Sequence, residues 1–580
     1  MLVLRKLLTA VALATAVAFA AASAATGRSG QVSVSTSTLM PGVTYTREVD
    51  FTSRGPIVLD IVTAPRPDGT VYSLAPALSN DSLRGTEKLT QLESRVAAGS
   101  TTVAIDGDYF DRRTGAPSGI LLRQGVLEGA PAAGRSSLGI AADGTLTAAH
   151  VPFVGTWQGS GQRRPLLLNA SKGKFTLYTS VYGSATPPAS GVVEAVISSL
   201  PPVRPGAALD GTVTAVTNGG PTRIPPGGAV LVARGSQSTT QLTAEAPVGQ
   251  QVEARISLSP DWDALTSAIG GGPLLVRNGK PVFHAKEAFD SRQLNRRQPR
   301  GAVGQLADGG IVLVGVEGTD PAYSIGMSSY ELAVELSRLG ATTAFGLGSG
   351  PAAGIAFDGK LLTRPSGGRE AKLSDALVFS YSGVYVPPPS APVLSPNGDG
   401  IGDTQTLSYR VARPSDVVAT LSGPGGTQIT LASGAQPPGL QTVDWDGSYG
   451  GSRAPEGGWT FSVTATDDRS VTTSAQRTFS LDDTLSSLAV ATGRGGLPTA
   501  TFQLTRPATV AVRIERLNGV PVATLRSGAR AAGSQRVTWR GRVGPRQAPR
   551  GRYQVSVEAK SSVGTSSLAA PFSYRPHKRK

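Results

Sequence analysis

Apolar positions along this chain recur mostly every second residue or in short continuous runs, and a helical period is sparse. The run Pro56-Ile57-Val58-Leu59-Asp60-Ile61-Val62 predicts a strand, as do residues 101–110 and the apolar stretch 310–316. Leu274, Leu275, Val276 and Arg277 predict another strand, which turns at Asn278-Gly279, a hairpin signal. One helix stands out at 328–339. Ser328 and Glu331 form a capping box in which each side chain satisfies an orphan backbone N–H. Leu332, Leu336 and Leu339 recur at i, i+4 and i+7, and Gly340 follows where a left-handed C′ residue is usual. The stretch 297–359 thus reads strand, loop, helix, strand, glycine-rich turn (Gly346-Leu347-Gly348-Ser349-Gly350). Binding sites tend to be built in loops at strand ends of this kind.

Past residue 392 the pattern repeats. Leu431, Gly439, Val443, Trp445, Ala454, Pro455, Gly457 and Trp459 recur 94 residues later as Leu525, Gly533, Val537, Trp539, Ala548, Pro549, Gly551 and Tyr553. Two strand-rich copies with one tryptophan at the same place in each predict two immunoglobulin-like β-sandwich modules, with the tryptophans as core anchors. The expected fold class is α+β: a β-rich mixed N-terminal domain with few helices, followed by two all-β sandwiches. The expected boundaries are a signal peptide (1–24), a flexible lead-in (25–40), the main domain (41–386), a proline-rich linker (387–392), sandwiches at 393–484 and 485–575, and a basic tail (576–580).

Composition sharpens this picture at three points. First, Arg5 and Lys6, an apolar run at 7–22 and Ala22-Ser23-Ala24 form a secretory signal, so the mature protein is expected outside the cell, in contact with the cell wall, with no transmembrane segment. Second, the chain has no cysteine, which excludes thiol catalysis, disulfides and cysteine metal sites. Its three histidines, His150, His284 and His577, have no ligand spacing. Third, the net charge is +15, and residues 501–580, with 16 Lys+Arg against Glu515 and Glu558, hold +14 of it. A basic face at one end of an exported protein suggests an anionic envelope polymer as partner, not nucleic acid.

Candidate chemistry sits at the ends of predicted strands. Asp106 and Asp108 flank Gly107, and strand alternation puts both carboxylates on one face, about 6–7 Å apart. Such a pair suits acid/base work or cation binding, and the same residues also suit a turn. Glu317 closes the strand 310–316, and Arg300 precedes that strand, so an acid and an arginine fall near strand ends. In Gly270-Gly271-Gly272, Gly271 and Gly272 either let a ligand approach the backbone or make a bend. Asn397, Asp399 and Asp403 form an oxygen-rich cluster suited to calcium or to a turn, and no other cofactor is expected.

Several ordered segments carry a resemblance. They are 104–110 (Ala-Ile-Asp-Gly-Asp-Tyr-Phe) with Pro117 and Gly119, 268–274 (Ala-Ile-Gly-Gly-Gly-Pro-Leu) with Asn278-Gly279, and 299–304 (Pro-Arg-Gly-Ala-Val-Gly). Gly326-Met327 leading to Glu331-Leu332-Ala333 and Arg364-Pro365-Ser366 before Asp375-Ala376-Leu377 complete the set. In order and spacing, about residues 40–385 resemble the phosphodiester glycosidase family. The first repeat, entered through Ser395-Pro396-Asn397-Gly398-Asp399-Gly400, resembles the Ig-like module of the flagellar hook-capping protein, and the second is more basic and diverged. The resemblance implies a glycosyl-phosphate substrate and hydrolysis of the sugar–phosphate bond. Catalysis would fall to Asp106, Asp108 and Glu317, and substrate binding to Arg300, Gly271, Gly272, Ser349 and Gly350. This chain also departs from the family. Asp106 stands where the family usually has Asn, Glu317 where it has Asp, and Gly301 where a Thr follows the Pro-Arg. The family's acid before a glycine-rich turn is here Gly348. The alternative is therefore a catalytically degenerate, glycan- or polyanion-binding protein on the same scaffold.

Overall fold

A computed structural model describes residues 32–258, 262, 265–283, 286–396, 402–492, 497–517 and 520–576. The expected signal peptide and tail, His284, His577, Asn397 and Asp399 lie outside the described residues.

Two antiparallel sheets face each other across the N-terminal core. One has eight strands in the order Val32–Met40, Val43–Thr52, Gly55–Ala64, Ile311–Val316, Arg300–Leu306, Ala341–Ser349, Leu274–Arg277, Lys280–Pro281. The other has five: Lys360–Leu361, Ile355–Phe357, Thr101–Asp106, Asp375–Tyr381, Tyr72–Leu78. Val62, Val303, Leu313, Phe345 and Leu347 from the first pack on Val103, Ile105, Ile355, Leu377 and Phe379 from the second. The opposite face of the eight-stranded sheet is covered by helix Ser329–Arg338, whose Leu332 and Leu336 are buried on Val312, Val314 and Ala302. Full burial of each leucine contributes roughly 1.5–3 kcal/mol. Ser328 and Glu331 make both bonds of the capping box, and Asn278-Gly279 turns the expected hairpin. A further five-stranded sheet and a second eight-stranded sheet, running from 153 to 258, enclose a separate core around Trp157, Leu177 and Ile256.

The lead-in expected to be flexible is in part ordered. Val32–Met40 pairs antiparallel with Val43–Thr52 and buries Leu39 and Met40. Its Ser/Thr-rich sequence hid an edge strand, where one face needs no apolar side chains.

The two C-terminal modules repeat down to single hydrogen bonds. Trp445 Nε1 donates to Ser448 O, and Trp539 Nε1 to Arg542 O, both at 2.9 Å. Trp459 Nε1 donates to Pro455 O and Tyr553 OH to Pro549 O, again 94 residues apart. Both tryptophans of the repeat are buried core residues, as expected.

Candidate active site

Asp106 ends the central strand of the five-stranded sheet and is buried. Its Oδ1 accepts from Gly354 N (3.0 Å), while its Oδ2 has no partner. The carboxyl sits in a slot that only glycines leave open. A Cβ on Gly348 would lie 2.8 Å from Oδ2, and one on Gly301 would collide with both oxygens. Gly348 reaches this position through a bulge. Arg300 pairs with Ser349 but Ala302 with Gly346, so the strand Ala341–Ser349 holds one residue more than its partner and its alternation shifts. The acid at 106 and the glycines at 301 and 348 are therefore one packing solution. Burial, reinforced by the charge of Asp375, pushes the Asp106 carboxyl well above the ordinary carboxylate range, while the bond from Gly354 pulls the other way.

The strand stops at Asp106, so alternation does not carry over to Asp108, and the two carboxyls accept from different backbone groups. Asp108 accepts from Tyr109 N (2.7 Å) and Gly119 N (2.5 Å), and burial raises it to about 6 against those bonds and the nearby Arg135. Behind both lies Asp375, also buried. Its Oδ1 accepts from Asp108 N (2.8 Å), its Oδ2 is unpartnered, and burial together with the charge of Asp108 raises it to about 8.

Glu317 is placed elsewhere. Its Oε1 accepts from Arg47 Nη1 (3.2 Å) and Arg364 N (2.7 Å). Asp60, from the neighbouring strand, accepts from Tyr45 OH (2.6 Å) and the same Arg47 nitrogen (3.1 Å). Burial and the Glu317 carboxylate beside it push Asp60 to about 8. This is a second, internal acid pair, and Glu317 does not line the main cleft. Arg300 is also committed. Its Nε donates to Met327 O, and its Nη2 to the carbonyls of Gln293, Leu294 and Arg296, so it closes the end of the short helix Ser291–Asn295 instead of presenting a fork to a phosphate. Gly271 and Gly272 serve backbone packing. Gly272 N donates to Gly346 O (2.8 Å), and a Cβ on Gly271 would meet the same carbonyl at 2.6 Å.

What the fold does bring together is a cleft of about 560 Å³. Tyr109, Pro299, Ser349, Gly350 and Ser366 line it, together with Arg112, Arg292 and Arg296. Gln298 Nε2 donates to Ser349 Oγ at 3.0 Å, directly beside Gly348 and the Asp106 slot. Tyr109 is held by Phe289 (rings 5.6 Å apart) and by the Arg135 guanidinium 5.2 Å over its ring. Tyr109 and Asp375 were named from sequence only within the family-like segments, and Asp60 only within the strand 56–62, none of them as a site residue. A lone acid inside the apolar run 56–62 was the available signal for Asp60.

The raised acids make stability depend on pH. Asp60 and Asp375 ordinarily titrate near 3.8 and titrate near 8 in the fold, so between these values the native state keeps protons that the unfolded chain has lost. Stability conferred by those protons is complete below about pH 4 and is lost as pH rises through about 8. Thermal unfolding is thus expected at a lower Tm at pH 8.5 than at pH 5, with a smaller fall in Asp375→Asn. A flat or rising Tm over that range would count against neutral acids in the core.

The description of the phosphodiester glycosidase family matches residues 205–380, and that of the FlgD Ig-like domain matches 488–562. The first match confirms the resemblance in the segment that carries Gly301, Ser349 and Asp375. The second falls on the more basic of the two repeats. The SPbeta prophage-derived uncharacterized protein YomE of Bacillus subtilis (strain 168) is 30% identical over 132 residues, which cover 23% of this chain and only 20% of that protein's length. Among solved structures, a hypothetical protein from Synechocystis is 24% identical, with TM-score 0.50, 60% of this chain covered and 68% of that one, a likeness of fold. A much looser likeness, at 12% identity and TM-score 0.33, runs to the catalytic domain of zebrafish N-acetylglucosamine-1-phosphodiester alpha-N-acetylglucosaminidase, over 60% of this chain and 87% of that one. Residues 205–380 are thus similar to the phosphodiester glycosidase family, and residues 488–562 to the Ig-like domain of the FlgD type. Among the described residues no helix is long and apolar enough to cross a membrane.

Proposed function

We propose that this chain is an exported hydrolase that breaks the glycosidic bond of sugar-1-phosphodiesters in envelope glycoconjugates. The observation that carries the reading is convergence. Tyr109, Pro299 and Ser366, from family-like segments far apart in sequence, line one cleft with Ser349 and Gly350 beside the slot of Asp106. Asp106, whose carboxyl burial raises well above the ordinary carboxylate range, is the proton donor to the departing phosphate oxygen. Water attacks the anomeric carbon, the carbon–oxygen bond to phosphate breaks, and a water proton restores the acid. Asp108 orders the Tyr109 and Gly119 backbone and is a positioning residue. The test is sugar release from sugar-1-phosphodiesters by the full chain. No release, under conditions where a relative with the acidic glycine-rich turn is active, would sink the reading.

The degenerate-binder reading rests on Gly348 in place of the family acid. Asp106 answers it in part, since its unpartnered oxygen occupies the space next to that glycine.

The second sandwich is proposed to hold the enzyme on an anionic envelope polymer. Arg526, Arg536, Arg540, Arg542, Arg546, Arg550 and Arg552 are all exposed there. Charge-reversal of Arg536, Arg540 and Arg542 is expected to weaken binding to isolated anionic wall polymer at low salt, with no change at high salt, where such attraction is screened. Binding unchanged at low salt would remove this role.

A further inference from the structure

We infer that the cleft takes a chain of consecutive glycosyl phosphates and not an isolated diester. This rests on the reading of the cleft as a phosphodiester glycosidase site and narrows its substrate class.

The argument is one of charge. Arg112 and, from a separate segment, Arg292 and Arg296 line the opening, and all three are exposed. Among the described residues none of the three pairs with a carboxylate. Elsewhere in the domain arginines are commonly neutralised: Arg95 by Asp81 and Glu87, Arg123 by Glu128, Arg338 by Glu48 and Glu335. The one acid lining the cleft, Asp290, accepts from Gln293 N (2.6 Å) as a helix cap. Three guanidiniums around one cleft repel each other unless anions lie among them. With Asp290 counted, the cleft carries two net positive charges, and a single glycosyl phosphodiester answers only one of them. A guanidinium fork matches phosphate oxygens, and the other polar side chains of the cleft (Gln293, Gln298, Thr319, Ser349, Ser366) are neutral hydrogen-bonding groups of the kind that meets sugar hydroxyls. The cleft therefore offers cationic groups for phosphates and neutral ones for the sugars between them. The three arginines are positioning residues for the flanking phosphates.

The test measures binding of inorganic tripolyphosphate and of inorganic phosphate to the full-length protein by calorimetry. Wild type is expected to bind tripolyphosphate about tenfold or more tighter than phosphate, and Arg112→Ala/Arg292→Ala/Arg296→Ala to shrink that gap to about threefold or less, with Tm unchanged because the side chains are exposed. A second variant, Arg536→Ala/Arg540→Ala/Arg542→Ala, controls for the basic sandwich and is expected to keep the gap. No gap in wild type, a gap surviving in the cleft variant, or a gap lost only in the sandwich variant would each overturn the inference. Release of sugar by wild type from methyl N-acetylglucosaminyl phosphate and from an oligomer of N-acetylglucosaminyl phosphate is followed in parallel. Turnover of either without a gap sinks this inference alone, whereas a gap with turnover of neither sinks the hydrolase and leaves a cleft for consecutive phosphates.

Discussion

Asp106→Asn is expected to lower kcat on a sugar-1-phosphodiester by roughly 10²–10⁴-fold, the usual span for losing a general acid or base. KM and Tm should change little. Burial favours the protonated form of Asp106, so an amide of the same shape is expected to replace it without leaving a buried charge behind. Asparagine is also the residue the family resemblance places at this position. In this chain it should inactivate, because Gly348 supplies no acid to work beside it. Steady-state kinetics and thermal unfolding on the same preparation separate the outcomes. A large loss of Tm would assign Asp106 to folding, and unaltered kcat would exclude it from the chemistry.

Gly348→Asp, the variant that rebuilds the family acid, is expected to harm the protein. The new Cβ would come 2.8 Å from Asp106 Oδ2, and a second carboxyl would enter a slot already filled. Overpacking of this kind costs roughly 1–3 kcal/mol, read as a lower urea midpoint. Activity should not rise. In the Asp106→Ala background the slot is vacant, and the same substitution should then cost less. If Gly348→Asp alone is as stable as wild type and more active, the idea that one acid has replaced the other fails.

Much of the architecture was legible because it rests on local rules. The capping box at Ser328 and Glu331, the hairpin at Asn278-Gly279 and the 94-residue repeat each involve residues close in sequence or copied at a fixed interval. The site was legible only as segments. Asp106, Ser349 and Gly350 were named from sequence, and they meet at or beside one cleft. Which atoms face which could not be read there. The alternation rule paired Asp106 with Asp108 because nothing in Asp-Gly-Asp announces that the strand stops at the first of them. Arg300 read as a phosphate grip, since no rule foresees that the carbonyls of Gln293, Leu294 and Arg296 would fold onto it. The slot shared by Asp106, Gly301 and Gly348 depends on a bulge between two strands of the other sheet, a contact far along the chain. Three of the four departures from the family, at 106, 301 and 348, became intelligible together only once that contact was seen.

The central claim concerns which bond is broken. Hydrolysis of a sugar-1-phosphodiester in ¹⁸O-labelled water, followed by mass analysis of both products, tests it most directly. The account predicts the label on the anomeric hydroxyl of the released sugar and none in the phosphate monoester. Label in the phosphate, marking attack at phosphorus, would contradict a glycosidase, and so would the absence of any cleavage.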